Sequence, residues 1–521
     1  MSGQRQDTRL REDIRQLGGL LGSTLQAQAG PGVYRVIEEL RGLAKEARGG
    51  DATAGQTLSQ RLADLPDDRI VPVVRAFSQF LNLANIAEQH HRIRRSRAWL
   101  RDPGTGPLRG SLEEFFQRML PATAPADLHA TLVGLDIELV LTAHPTEVMR
   151  RSLLQKYNRI ADLLDQGDRL DATPEELEEV HRALRREITA AWESSEIRRR
   201  RPTPQDEARW GLAVVEQTLW DVIPRYLRRL DRLLHRQTGA GLPLTAAPIH
   251  FGSWMGGDRD GNPRVTATVT REVCLLNRWK AVELYRLEID ALIGELSMQR
   301  CNPALRARVG DAWEPYRSLL KSVRDRLDAT RDRLDAALAG DTREPSTDVL
   351  RESADLLEPL LLCHQSLHDV GASVIAEGRL EDLLRRLAVF GLTLMRLDIR
   401  QEAGRHTEVL DALTRALDLG GYGDWSESER QGFLIRELDN RRPLIPRDFK
   451  ASDSVREVLD TLAVIAEMGA GSLGAYVISM ASTPSDILAV KLLQKEMGVT
   501  EPLRVVPLFE TLDDLNGAQS T

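Results

Sequence analysis

Residues 138–152 read ELVLTAHPTEVMRRS, and the fold turns on how this stretch is read. Glu138 to Ala143 has an apolar, β-prone centre and runs straight into His144-Pro145-Thr146-Glu147. Pro145 stiffens the backbone and biases His144 away from helical geometry, so a strand ends on a titratable side chain. Arg150 and Arg151 follow within two turns of an expected helix. An imidazole can pass a proton near neutral pH, and arginines can hold an anion beside it. A lone histidine in such a place is more often structural; here the setting favours a role in chemistry.

Working outward, the first run spans 137–143 (IELVLTA), and four others repeat its pattern. Residues 248–255 (PIHFGSWM) meet GGDRDGNP at 256–263, and 392–399 (LTLMRLDI) meet Arg400-Gln401-Glu402. Residues 475–480 (AYVISM) meet Ser482-Thr483-Pro484-Ser485-Asp486, and 503–509 (LRVVPLF) meet Glu510-Thr511. Strands separated by helices pair in parallel through crossover connections. Polar clusters that all follow the strands' C-terminal ends describe the catalytic mouth of a β/α barrel. A single short apolar run reads equally well as a buried helix segment, but five with the same ending do not.

The rest of the chain reads as helix. In 73–95, Val74, Phe77, Phe80, Leu81 and Ile86 fall near one another at a period of 3.6. Thr173, Pro174 and Glu176 form a capping box with proline at the first helical position. Residues 314–340 form a long amphipathic helix ending at a glycine, with a coiled coil as the alternative, and 338–348 form a polar loop. The expected fold is a predominantly α-helical α/β protein: a helical region over 1–135, then a partial barrel with large helical insertions over 136–521.

Bulk properties narrow the function. The chain has 521 residues, 42% hydrophobic and 28% charged, with a net charge of −8. That balance argues against a dedicated nucleic-acid binder, which usually carries a basic face. The basic run SEIRRRRPTP (195–204) reads as a solvated helix end, where cations are welcome. Cys274, Cys301 and Cys363 have no CxxC spacing and suit thiols in a reducing compartment. The N-terminus lacks the apolar core of a signal peptide, and no apolar run reaches the roughly 20 residues that span a bilayer. The expected location is the cytoplasm, with no membrane and no nucleic acid as partner.

Chemistry is expected in the clusters. GGDRDGNP is not an EF-hand loop, because that pattern needs glycine where Pro263 sits and an acid at Val269. Gly256 and Gly257 instead suit close approach of the backbone to a ligand, and Trp254 offers an apolar wall. Arg400 at a strand end suits bidentate binding of phosphate or carboxylate. Glu510 reads either as an acid at a helix N-terminus or as a ligand to a hard divalent cation.

These blocks carry a family resemblance. LVLTAHPTEVMRRS, FGSWMGGDRDGNPRVTA, LMRLDIRQEAGRHTEVL, AYVISMASTPSDILAVKLL and VVPLFETLDDLNGA, with VRAFSQFLNLANIAEQHH at 74–91, resemble successive blocks of bacterial phosphoenolpyruvate carboxylase, in the family's order. The resemblance implies an eight-stranded β/α barrel that joins phosphoenolpyruvate and bicarbonate into oxaloacetate and phosphate, with Mg²⁺ or Mn²⁺, in a homotetramer feeding the tricarboxylic acid cycle. It implies His144 as the catalytic histidine and Arg400 as a phosphate ligand. Trp254 and Leu508 would line the bicarbonate or carbon dioxide pocket, and Glu510 would be one metal carboxylate. The family's later blocks, with a second metal aspartate, a lysine and an HGRGG loop, are not in this sequence. An N-terminal portion carrying five of eight strands, inactive by itself, is therefore the expectation. A non-catalytic protein that binds an anion or a partner chain is the alternative, and a phosphoenolpyruvate-using dikinase lacks its own motifs here.

Overall fold

The computed structural model describes residues 2–102, 106–142, 150–196, 202–341, 343 and 348–519. The chain divides into two compact units, one made of Met1–Glu114 and Met149–Arg200, the other of Phe115–Val148 and Arg201–Thr521.

The first unit is helical. Helices Ser2–Gln28, Pro31–Arg48, Ala52–Ala63 and Asp67–Arg101 are followed, after the excursion into the second unit, by Arg151–Gly167 and Pro174–Glu193. Leu17, Leu21, Leu83, Ile160, Leu184 and Ile188 lie in their shared core. The expected capping box is present: Thr173 accepts from the Glu176 N–H and Glu176 accepts from the Thr173 N–H. Helix Asp67–Arg101 outruns its expected span at both ends and is long and apolar enough to cross a membrane. It buries Val73, Ala76, Leu83, Ile86 and Ala87 in the helical core, while Val74 and Leu81 of the expected apolar face stay exposed. Near its C-terminal end a polar knot closes the packing. The Asp168 carboxylate receives Arg94 Nη2 at 2.8 Å and lies 3.0 Å from His90 Nε2, and Arg94 also pairs with Asp13.

The second unit holds a five-stranded, wholly parallel sheet in the order β1-β2-β3-β4-β5, curled like part of a barrel wall. The strands are β1 Ile137–Leu141, β2 Ile249–Ser253, β3 Arg396–Glu402, β4 Leu473–Ser479 and β5 Val505–Pro507. Each falls on one of the five expected runs. The third is displaced: Gly391 and Leu394 both have positive φ (54° and 61°), so 392–395 make a turn and the strand starts later and includes Arg400. Consecutive strands are neighbours because long helical connections carry the chain back to the start of the sheet. The connection from β2 to β3 includes Ala267–Glu295 and Pro315–Leu338, which pack along one another. The second of these buries Leu319, Leu320, Val323, Leu327 and Leu334 within the unit, so this segment is a packed helix and not a coiled coil.

Beneath the sheet, Leu397, Ile399, Tyr476 and Ile478 meet Val409, Leu413, Leu462, Ile465, Leu492 and Leu493 from the helices. This is the continuous apolar burial that a parallel sheet requires. Among the described residues β1 pairs only with β2 and β5 only with β4, and Ile137, Leu139 and Val140 on β1 are exposed.

Candidate active site

The site is assembled at the C-terminal ends of β2, β3 and β4 and just beyond β5, wholly within the second unit. Its centre is Arg400, the fifth residue of β3. Positions 396, 398, 400 and 402 of this strand are Arg, Asp, Arg and Glu, so one face is charged while Leu397 and Ile399 on the other are fully buried.

The loop after β2 wraps around Arg400. The chain leaves β2 at Trp254, turns through Gly256 at φ 92°, and returns to pair with β3. Arg400 donates its N–H to the Gly257 carbonyl at 2.9 Å, and its own carbonyl accepts from the Arg259 N–H at 2.9 Å. Two glycines permit this. A Cβ on Gly257 would stand 1.9 Å from the Asp398 carbonyl oxygen, and one on Gly256 would stand 2.6 Å from a Val273 methyl. Arg259 turns inward, donating to the Gly257 carbonyl at 3.0 Å and the Thr270 hydroxyl at 2.6 Å, which clamps the loop from beneath.

Three carboxylates close on the Arg400 guanidinium: Asp258 at 3.3 Å, Asp260 at 2.8 Å and Glu510 at 3.0 Å. Its Cζ lies 5.3 Å from the centre of the Trp254 ring, a cation–π distance. Trp254 is itself fixed, because its indole N–H donates to Asp398 Oδ2 at 3.0 Å while the Ala475 N–H donates to Asp398 Oδ1 at 2.7 Å. Asp398 thereby ties β2, β3 and β4 together. Gly474 makes room for it, since a Cβ there would come within 2.2 Å of Asp398 Oδ1. Burial raises the pKa of both Asp398 and Asp258.

Glu510 follows β5 and precedes the short helix Leu512–Gly517, which Thr511 and Asp514 cap. Its Oε2 accepts from the Met480 N–H at 3.3 Å, and Met480 is a non-glycine residue at φ 56°, the turn that ends β4. Such a conformation is costly and tends to cluster at functional sites. Leu508 stands at the same end of the sheet, its N–H donating to the Ile478 carbonyl at 2.9 Å.

Arg400, Trp254 and Glu510, singled out from sequence, are therefore brought together. His144 lies outside the described residues; the strand that leads to it ends with the Leu141 carbonyl accepting from the Trp254 N–H at 3.2 Å. Asp258, Asp260 and Asp398 were missed as site residues. The alternation RLDIRQE, charged at every second position of a strand, is the signal that could have found Asp398.

The donor set also bears on metal binding. Among the described residues no cluster of three His, Cys, Asp or Glu side chains forms a metal cage. Glu510 is about one-third exposed, and it presents a hard oxygen to the same guanidinium that Asp258 and Asp260 meet. Three carboxylates against one guanidinium leave negative charge in excess. That suits a divalent cation held by one or two carboxylates and otherwise by substrate oxygens and water, as Mg²⁺ usually is.

Comparison with known proteins agrees with the resemblance in the sequence blocks. The profile of the family described as phosphoenolpyruvate carboxylase matches residues 10–521. Phosphoenolpyruvate carboxylases of Pseudomonas paraeruginosa and Pseudomonas aeruginosa are each 54% identical over 514 residues, covering 98% of this chain and 58% of the relative. That of Ectopseudomonas mendocina is 54% identical over 513 residues, with the same shares. The chain thus spans a little over half the length of these relatives.

Proposed function

The chain belongs to the phosphoenolpyruvate carboxylase family, and from that premise we propose that the protein carrying it joins phosphoenolpyruvate and bicarbonate into oxaloacetate and phosphate. The observation that carries this reading is the placement of Arg400, a guanidinium at the mouth of a parallel sheet, backed by an indole and ringed by acids.

In this reading Arg400 exchanges its carboxylate partners for the phosphate of the substrate, a planar fork meeting two phosphate oxygens. A bicarbonate oxygen attacks phosphorus and the enol oxygen leaves, giving carboxyphosphate and the enolate of pyruvate. His144 takes the proton of carboxyphosphate, which breaks down to carbon dioxide and phosphate. The enolate carbon then attacks carbon dioxide, closing the new carbon–carbon bond of oxaloacetate. Trp254 and Leu508 keep water from the enolate, which would otherwise be protonated to pyruvate. Glu510 would hold Mg²⁺ or Mn²⁺, and a bound divalent cation supplies positive charge against the phosphate and the enolate oxygen. The same reading makes the protein a homotetramer of the cytoplasm, replenishing the tricarboxylic acid cycle.

The test separates the two halves of the reaction. In the protein carrying this chain, His144→Asn should still cleave phosphoenolpyruvate in a bicarbonate-dependent way, yielding pyruvate and phosphate, while oxaloacetate formation falls about a hundredfold or more. Assaying the three products together reads this out, and unchanged carboxylation would remove His144 from its role.

A further inference from the structure

The helical unit contains a cavity of about 380 Å³ that plays no part in the chemistry above. Arg94, Arg97 and Arg101 line it from one side. At i, i+3 and i+7 of helix Asp67–Arg101 they share one helix face. Arg9, from helix Ser2–Gln28, lines it too. Four guanidinium groups around one small hollow repel one another, and the structure neutralises only two of them. Arg94 is held by Asp13 and Asp168, and Arg97 pairs with Asp165. Asp168 also lines the hollow, but its oxygens are taken by Arg94 and His90. Among the described residues no acidic partner meets Arg9 or Arg101.

The plain explanation is a helix end that favours cations. It accounts for Arg101, in the last turn of its helix. It does not account for Arg9, which lies in the N-terminal third of its own helix, where the dipole offers a cation nothing. The volume falls within the roughly 300–1,000 Å³ range of small-molecule sites. Leu170, 94% exposed at the edge of the hollow, offers an apolar contact for the body of a ligand.

We propose that this cavity is a binding site for a small phosphorylated metabolite. Arg9 and Arg101 grip its phosphate; Arg94, held by two aspartates, forms the floor, and Arg97, in an exposed pair with Asp165, adds positive charge at the rim. Arginine forks suit phosphate oxygens.

The experiment uses the protein carrying this chain and pyrophosphate as the probe, followed by calorimetry and by the rise in melting temperature. Arg9→Ala and Arg101→Ala remove exposed side chains without acidic partners, so the fold should persist, as an unchanged melt without ligand would verify. Each variant should weaken pyrophosphate binding about tenfold, and raised salt should weaken it further. Arg400→Gln should leave this binding in place. Three results would overturn the proposal: no binding of pyrophosphate at millimolar concentration, an affinity in both alanine variants equal to that of the unsubstituted protein, or loss of binding in Arg400→Gln alone. Citrate binding as tightly as pyrophosphate would overturn the assignment to phosphate.

Discussion

At the scale of single residues, Arg400 has its whole setting built around the shape of a guanidinium. It serves Asp258, Asp260 and Glu510 at once while lying over Trp254. Lysine keeps the charge but has neither the fork nor the flat face. In the protein carrying this chain, Arg400→Lys should raise the KM for phosphoenolpyruvate about tenfold or more and leave the bicarbonate dependence nearly unchanged. Steady-state kinetics with each substrate varied in turn checks this. His406 makes a different kind of prediction. It sits in the core beneath the sheet with Nε2 2.8 Å from the Tyr476 hydroxyl, and burial pulls its imidazole from 6.5 down to about 3. The unfolded chain takes up this proton near pH 6.5 and the folded one only near 3, so the unfolded state binds more protons in between. The stability owed to a neutral His406 is therefore whole above pH 6.5 and drains away as pH falls through that window, by up to about 1.4 kcal/mol per pH unit. Denaturant melts of wild type and His406→Gln across pH 4 to 7 should show the variant losing that part of the slope.

At the scale of elements, the loop after β2 does more than connect. Its return alongside β3 depends on Gly257, where a Cβ would strike a backbone oxygen that cannot move aside. Gly257→Ala should cost about 1–3 kcal/mol and disturb the Arg400 pairing, lowering activity. Gly261 in the same loop, at φ 64° with open space around it, should cost only the strain of the left-handed backbone, about 1 kcal/mol. Comparing thermal unfolding of the two alanine variants separates collision from strain. The loop also marks how far the sequence could be read. Strand positions were legible because apolar runs with a shared polar ending are a local signal, and the Thr173 cap was legible because its residues stand three apart. The start of β3 was not, because Leu392 to Met395 are as apolar as a strand and the turn there is set by φ at Gly391 and Leu394. Nor was the ring of acids around Arg400. Asp258 and Glu510 meet only through the fold, and nothing local to either shows the other. The sequence named Trp254 as a wall but not the buried Asp398 that aims it.

At the scale of the whole molecule, the sheet leaves β1 and β5 without further partners among the described residues, and β1 exposes Ile137, Leu139 and Val140. Unpaired strand edges and apolar faces of that kind invite pairing with another chain. Residues 1–521 expressed alone should therefore self-associate. Light scattering during size-exclusion chromatography should show species larger than 58.3 kDa, growing with concentration; a concentration-independent monomer would contradict this. The division of the chain into units has another consequence, in the order of events during synthesis. The segment bearing β1 lies between the two pieces of the helical unit. A ribosome therefore delivers β1 before the helices Arg151–Gly167 and Pro174–Glu193 that complete that unit, and long before β2 at Ile249. Translation proceeds at roughly 5–20 residues per second, so β1 must wait for seconds with no strand to pair with. The helical unit meanwhile has both its pieces as soon as residue 200 has been made. The nascent chain is thus expected to settle its all-helical part first, with the first strand of the sheet left unpaired until its neighbour emerges.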